Sequence, residues 1–194
     1  MDTHFIENLK QSLAASLQAD ANMRQQAEQF LVEAQKRPDY CSGLLEVSGD
    51  NQIDPNLSLA AAVQLGTCID YHWKYINPEQ AEKISITGFR FIILSDADKE
   101  YVRTNIVGKM FNCASRAISK QYVRCIITIC RFDYPEKWPT LVQDIGNALN
   151  SGNDKGILTG CIALFCLAKK YEYELDEARQ PLFRIMEDVN SILG

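Results

Sequence analysis

Histidine and cysteine are the residue types with which this chain could build a metal site or a nucleophilic centre. The sequence holds two histidines and seven cysteines: His4, His72, Cys41, Cys68, Cys113, Cys125, Cys130, Cys161 and Cys166. A structural zinc site needs four soft ligands at short spacings, whereas this sequence has no CxxC pair and no Cys/His cluster. We therefore predict buried free thiols with no metal and no disulfide, as is typical of a reducing compartment.

Signatures of catalysis are missing as well. The sequence has no GxxxxGK[ST] or GxGxxG phosphate loop, no GxSxG and no HExxH. His4 is near the terminus and His72 lies beside Trp73 near a predicted helix end, which favours surface or packing roles over a general base. Asp96 and Asp98 fall at a predicted helix start, where carboxylates complement the helix dipole. We expect no enzyme and no cofactor.

Helical periodicity dominates the elements that would position any site. Apolar residues recur at intervals of three and four, as in Trp138, Leu141, Val142, Ile145 and Leu149. Capping signals such as Asp20 and Asp54-Pro55 separate these stripes. The pattern predicts helices at about 3–18, 20–36, 39–48, 55–75, 96–114, 119–132, 136–150, 154–171 and 177–193.

These predicted helices pair in order into about four and a half hairpins, with a period near 40 residues outside one insertion. That period is typical of HEAT repeats, so we predict an all-α fold, an α-solenoid over residues 1–194. A four-helix bundle is the alternative, but this many helices with short turns do not close into one. We expect an extended insertion at 77–94, whose apolar side chains either cover the repeat ends or form a binding loop.

The composition of the chain limits which classes of binding partner we expect. The net charge is −5, with 46% hydrophobic and 23% charged residues, which excludes a disordered chain. No apolar run is long enough to cross a bilayer, and the N-terminus lacks the features of a secretory signal. The acidic balance argues against nucleic acid as a partner. We therefore expect neither membrane nor nucleic-acid binding.

Basic residues nevertheless concentrate on two predicted second helices of the hairpins. Lys120, Arg124 and Arg131 occur in helix 119–132 without an acidic residue, and Lys169 is one of three lysines in helix 154–171. Two interpretations remain open for these residues, contacts to an acidic partner or a solvated basic face.

Five segments, in order, resemble the N-terminal domain of the importin-β (karyopherin) superfamily. They are 27–45, AEQFLVEAQKRPDYCSGLL; 59–73, LAAAVQLGTCIDYHW; 96–110, DADKEYVRTNIVGKM; 133–149, DYPEKWPTLVQDIGNAL; and 156–174, GILTGCIALFCLAKKYEYE. The last segment is similar to the branch that contains importins seven and eight. Each segment alone is weak, and their order carries the resemblance.

The resemblance implies a nuclear transport receptor that shuttles between nucleus and cytoplasm. Such receptors are long HEAT-repeat superhelices that carry protein cargo and bind phenylalanine-glycine nucleoporins, and their N-terminal repeats bind Ran in its GTP form. It also implies that this chain is a fragment of a much longer solenoid. A helical-repeat scaffold without Ran binding is the alternative.

By this resemblance, helices 20–36 and 55–75 contribute the first Ran patch. The candidate contacts are Arg24, Ser58, Ala61, Ala62, Leu65, Gly66 and Asp70. The family commonly has an Arg early in the second of these helices and a Lys-Asn pair midway, where this chain has Ser58, Gly66 and Thr67. The alanines equally fit helix–helix packing, and a Gly66 that faces Ran should be solvent-exposed in the free protein.

Overall fold

The structure, a computed structural model, describes residues 2–85 and 90–193, of which residues 176, 192 and 193 are described by their backbone alone. Within those ranges it contains ten α-helices and no strand, so the all-α prediction is confirmed. The helices are α1 (Thr3–Ser16), α2 (Ala21–Ala34), α3 (Tyr40–Ser48), α4 (Pro55–His72), α5 (Pro78–Ile84), α6 (Asp96–Asn112), α7 (Arg116–Asp133), α8 (Leu141–Leu149), α9 (Asp154–Ala168) and α10 (Gln180–Leu193).

Side-chain caps fix where the helices start. The Asp20 carboxylate accepts hydrogen bonds from the Asn22 and Met23 N–H groups, and Asp54 accepts from Asn56 ahead of Pro55 at the first helical position. Each cap satisfies amide donors that have no partner inside the helix. Both starts agree with the sequence prediction.

Antiparallel hairpins stack into two rows of helices. α1 packs on α2, α3 on α4, α6 on α7 and α8 on α9. Between hairpins, the second helices α4, α7 and α9 contact in sequence, while α1, α3 and α6 contact on the other side. α10 packs on α8 as the first helix of a further hairpin. The buried face of each hairpin is thereby covered by its neighbours, as in a solenoid.

Two predicted elements are wrong in detail. The insertion is not extended throughout, because its first part forms the helix α5. Asn77 caps this helix through a capping box with Gln80, and Pro78 is the first helical residue. The helix predicted from 136 begins only at Leu141, because Pro139 disfavours helical geometry at the residue before it. Trp138 therefore lies in the preceding turn rather than on the helix, but it is 1% exposed.

The rest of the insertion covers the repeats where it is described. Phe91 and Leu94 are buried, and the Ile92 N–H donates to Nδ1 of His72 over 3.1 Å. His72 is thus a packing histidine, and burial lowers its pKa. Residues 86–89 of the predicted insertion lie outside the described residues.

Two adjacent, oppositely charged residues of α6 clamp the second hairpin at one end. Asp98 accepts the Cys41 and Ser42 N–H groups over 2.9 and 2.7 Å, at the start of α3, where Asp39 gives no side-chain cap. Lys99 Nζ donates over 2.8 Å to the carbonyl of Trp73, the C-cap residue that follows α4. Each charge meets the helix end whose dipole attracts it.

This clamp is buried. Both Asp98 and Lys99 are 2% exposed, and the ammonium of Lys99 also lies 3.6 Å from the ring centroid of Tyr75. Burial lowers the pKa of Lys99 to about 8 and raises that of Asp98. Charges this deep persist in a fold only where partners compensate them, as these do.

The cysteines are free in the structure. Five of them are buried, whereas Cys113 is half-buried and Cys161 is exposed. No helix among the described residues is long and apolar enough to cross a membrane.

Replacing Asp98 with Ala should lower the free energy of unfolding by about 2–4 kcal/mol, because two buried amide donors of α3 lose their acceptor. Urea unfolding followed by circular dichroism measures this loss. Asp96→Ala is the matched control, since Asp96 is exposed on the same turn and should cost less than about 1 kcal/mol. Equal losses in the two variants would show that Asp98 is not a cap for α3.

Trp138→Ala should cost about 3–5 kcal/mol, because the indole is almost completely buried and its removal leaves a cavity. Trp138→Phe, which keeps most of the volume, should cost clearly less. A melting temperature unaffected by the alanine substitution would indicate an exposed ring and contradict its packing role.

Candidate functional site

The row of second helices presents the surface on which the predicted contacts were placed. Solvent-exposed apolar side chains occur on three of its four helices: Met23 and Val32 on α2, Val63 and Tyr71 on α4, and Ile157, Leu158 and Phe165 on α9. α7 instead exposes the cations Arg116, Lys120, Arg124 and Arg131. A cationic helix thus lies between two helices with apolar outer faces.

Four of the predicted Ran contacts on α4 are not surface residues. Ala61, Ala62 and Leu65 are 0% exposed in the hydrophobic core, and Ser58 is buried with its hydroxyl donating to the carbonyls of Asp50 and Asp54. Helix packing, the alternative interpretation, explains these residues. Their small size lets neighbouring helices approach rather than admitting a partner.

Gly66 is also buried, which does not fit the exposed position expected of a Gly66 that faces Ran. A Cβ atom at this position would lie 3.2 Å from Oε1 of Gln121 and 3.4 Å from Nη1 of Arg124. Both neighbours are the ends of α7 side chains, so the cover over Gly66 consists of flexible polar groups. The glycine allows these side chains to cross from α7 onto the middle of α4.

Two of the predicted contacts pair with each other. Arg124 Nε donates to Asp70 Oδ2 over 2.5 Å, and the Thr128 hydroxyl donates to Asp70 Oδ1 over 2.7 Å. The two charged side chains are 42% and 29% exposed, so the pair lies at the edge of the surface rather than inside the core. It links the second helices of the second and third hairpins.

The remaining predicted cations differ in their availability. The Arg24 guanidinium donates to the carbonyls of Gln18 and Ala19 after α1. Lys169 pairs with Glu172 over 2.5 Å, which raises its pKa. Among the described residues, Lys120 and Arg131 have no hydrogen-bonded or ionic partner. With Arg116 and Arg124, these two are the cations that α7 offers to a partner.

An open groove of about 1130 Å³ separates the C-terminal half of α2 from α4 and α5. Val32, Lys36, Thr67, Tyr71 and Arg90 contribute to its walls.

Sequence reasoning missed Gln121 and Thr128, two uncharged α7 side chains that lie against α4: Thr128 donates to Asp70, and Gln121 lies over Gly66. The signal was available, because Gln121, Arg124 and Thr128 follow each other at intervals of three and four on one helix face. That α4 is the helix they contact could not be predicted, since nothing in the sequence tells which helix packs beside α7. Within the described ranges, no group of His, Cys, Asp and Glu could hold a metal ion.

Comparison with known proteins places this fold in a family. The family model of the importin-beta N-terminal domain matches residues 27–112. Importin-8 of Danio rerio is 29% identical over 168 residues, which are 87% of this chain and 16% of importin-8. Exportin-2 of Pagrus major is 30% identical over 173 residues, again 87% of this chain and 16% of the relative. The chain thus spans about one sixth of the length of these curated relatives.

A solved structure with the same fold, "The exportin Cse1 in its cargo-free, cytoplasmic state", superimposes with a TM-score of 0.76 at 20% identity. The superposition covers 97% of this chain and 19% of that chain, and it confirms the HEAT-repeat solenoid. The resemblance of the five sequence segments, the match to the N-terminal domain and the similarity to importin-8 agree with one another. The chain therefore belongs to the importin-β superfamily of nuclear transport receptors.

Proposed function

We propose that this chain is the Ran-binding N-terminal part of a nuclear transport receptor. In this proposal the row of second helices binds Ran in its GTP form, and the receptor shuttles between cytoplasm and nucleus with protein cargo through phenylalanine-glycine nucleoporins. The observation that supports it is the family membership, combined with a row of second helices whose outer face is partly apolar and partly cationic. Partners of solenoid proteins bind along such extended surfaces.

A rearranged cation supports Ran binding despite the departures on α4. The resemblance implies a Lys-Asn pair midway along this helix, where the chain has Gly66 and Thr67. The Arg124 guanidinium from α7 lies over that same position, 3.4 Å from where a Gly66 Cβ would be. We infer that α7 supplies a cation that α4 has lost.

A helical-repeat scaffold without Ran binding is the second candidate, favoured by one observation. Ser58 stands where the family commonly has an Arg, and it is buried among backbone carbonyls with no cation beside it in the described contacts. A bidentate guanidinium contact is worth about 1.5–3 kcal/mol, so its loss weakens a Ran interface unless other contacts compensate.

Nucleotide preference separates the two candidates. Immobilised chain should retain Ran loaded with a non-hydrolysable GTP analogue and not Ran loaded with GDP, since the receptor is proposed to recognise the GTP form. Binding measured by biolayer interferometry over a range of salt concentrations gives both affinity and its electrostatic part. Equal binding of the two nucleotide forms, or of neither, would favour the scaffold.

Gly66→Glu should abolish binding to the GTP form while the melting temperature stays within a few degrees of the wild-type value. The new carboxylate displaces flexible side chains and pairs with Arg124, which removes that cation from the surface. Substitution of a helical glycine also gains up to about 1 kcal/mol of helix propensity.

Gly66→Ala is the matched control. It gains the same propensity, adds a single methyl group at 3.2 Å from a movable side-chain oxygen and should bind Ran-GTP as the wild type does. A folded Gly66→Glu variant with undiminished affinity would place the Ran contact elsewhere. Unfolding of both variants would instead identify Gly66 as a packing position.

A further inference from the structure

Asp70 is the only acidic or basic residue among the eighteen residues of α4, apart from the terminal His72. Its carboxylate accepts a hydrogen bond from Arg124, a cation on the outer face of the neighbouring α7. The single carboxylate of an otherwise uncharged helix therefore forms an ion pair with one cation of the proposed binding surface. Lys120, one turn earlier on α7, and Arg131, about two turns later, remain available.

Stability does not require this pair. Arg124 is 42% exposed and Asp70 29% exposed, and ion pairs with this much solvent contact stabilise folds little. Hairpin stacking between α4 and α7 rests instead on buried apolar residues such as Leu65, Ile69 and Ile126. The contact is therefore easily opened by a competing anion.

The geometry of Asp70 also suits an exchange of partners. Its second oxygen is held by the Thr128 hydroxyl over 2.7 Å, so the carboxylate keeps one hydrogen bond when Arg124 leaves. The Arg124 side chain lies across Gly66 at the edge of the surface, where it is 42% exposed. Only the guanidinium has to move.

We propose that Asp70 is an internal competitor that holds Arg124 until a carboxylate on the surface of the bound GTPase replaces it. This inference rests on the proposed function and adds the partner's chemistry: an acidic group positioned to contact Arg124, flanked by contacts to Lys120. The α7 helix exposes four cations, Arg116, Lys120, Arg124 and Arg131, and among the described ion pairs Asp70 alone provides one of them with a counter-charge, so an acidic partner surface is the complementary one.

A double-mutant cycle with Ran loaded with a non-hydrolysable GTP analogue tests this competition. Asp70→Asn should tighten binding about two- to fivefold, because Arg124 then has no internal ion pair to break before it contacts the partner. This factor corresponds to the free energy of an exposed ion pair. Arg124→Gln should weaken binding about tenfold or more, since a charge-assisted contact is lost. In the Arg124→Gln background, Asp70→Asn should have no further effect.

Asp54→Asn is the matched control. It removes the same charge from the start of the same helix, keeps a good N-cap and does not approach Arg124, so its affinity should change by less than twofold. A gain equal to that of Asp70→Asn would show a general charge effect and overturn the competition.

The outcomes also separate this inference from the proposed function. If the wild type binds and Asp70→Asn does not bind more tightly, the competition is wrong and Ran binding stands. If the wild type fails to bind and Asp70→Asn binds, the competition stands in a chain whose own Ran binding is refuted. Failure of both proteins to bind refutes both.

Discussion

The buried charges of Asp98 and Lys99 set how the second and third hairpins meet. These neighbours at the start of α6 reach the N-terminus of α3 and the C-terminus of α4, the two helix ends that an antiparallel hairpin brings together. Fixing both ends fixes the position of α6 and, through it, of its hairpin partner α7. This placement brings α7 beside α4, and buried apolar residues such as Leu65 and Ile126 then form the contact on which the proposed binding surface depends.

Much of the fold was predictable because its determinants are local. Apolar stripes and caps such as Asp20 and Asp54 give the helices, and the spacing of the hairpins gives the solenoid. The two errors also have local causes. The prediction followed the composition of the insertion and missed the capping box at Asn77, and it followed the apolar stripe through Trp138 and missed the effect of Pro139. The sequence placed Asp98 at a helix start but did not predict that it caps α3, because its partners are 56 and 57 residues away in sequence.

The binding surface was less predictable, since surface exposure depends on which helices are neighbours. Ala61 and Leu65 are chemically suited to an interface and to a core alike, and the stacking of hairpins decides for the core. Asp70 and Arg124 were both recognised as candidates from their charge and helix. That they contact one another follows from the α4–α7 packing, which no pattern within either helix encodes. The resemblance to a family supplies a partner but not this internal pairing.

Hydroxyl-radical footprinting of the chain with and without GTP-loaded Ran tests most directly whether the second helices form the binding surface. Met23 on α2 and Tyr71 on α4 are 48% and 56% exposed, and both should become protected when Ran binds. Tyr173, 91% exposed in the turn after α9, and Phe183, 58% exposed on α10, lie outside this row and should keep their reactivity. Protection of Tyr173 or Phe183 with Met23 and Tyr71 unchanged would contradict the account.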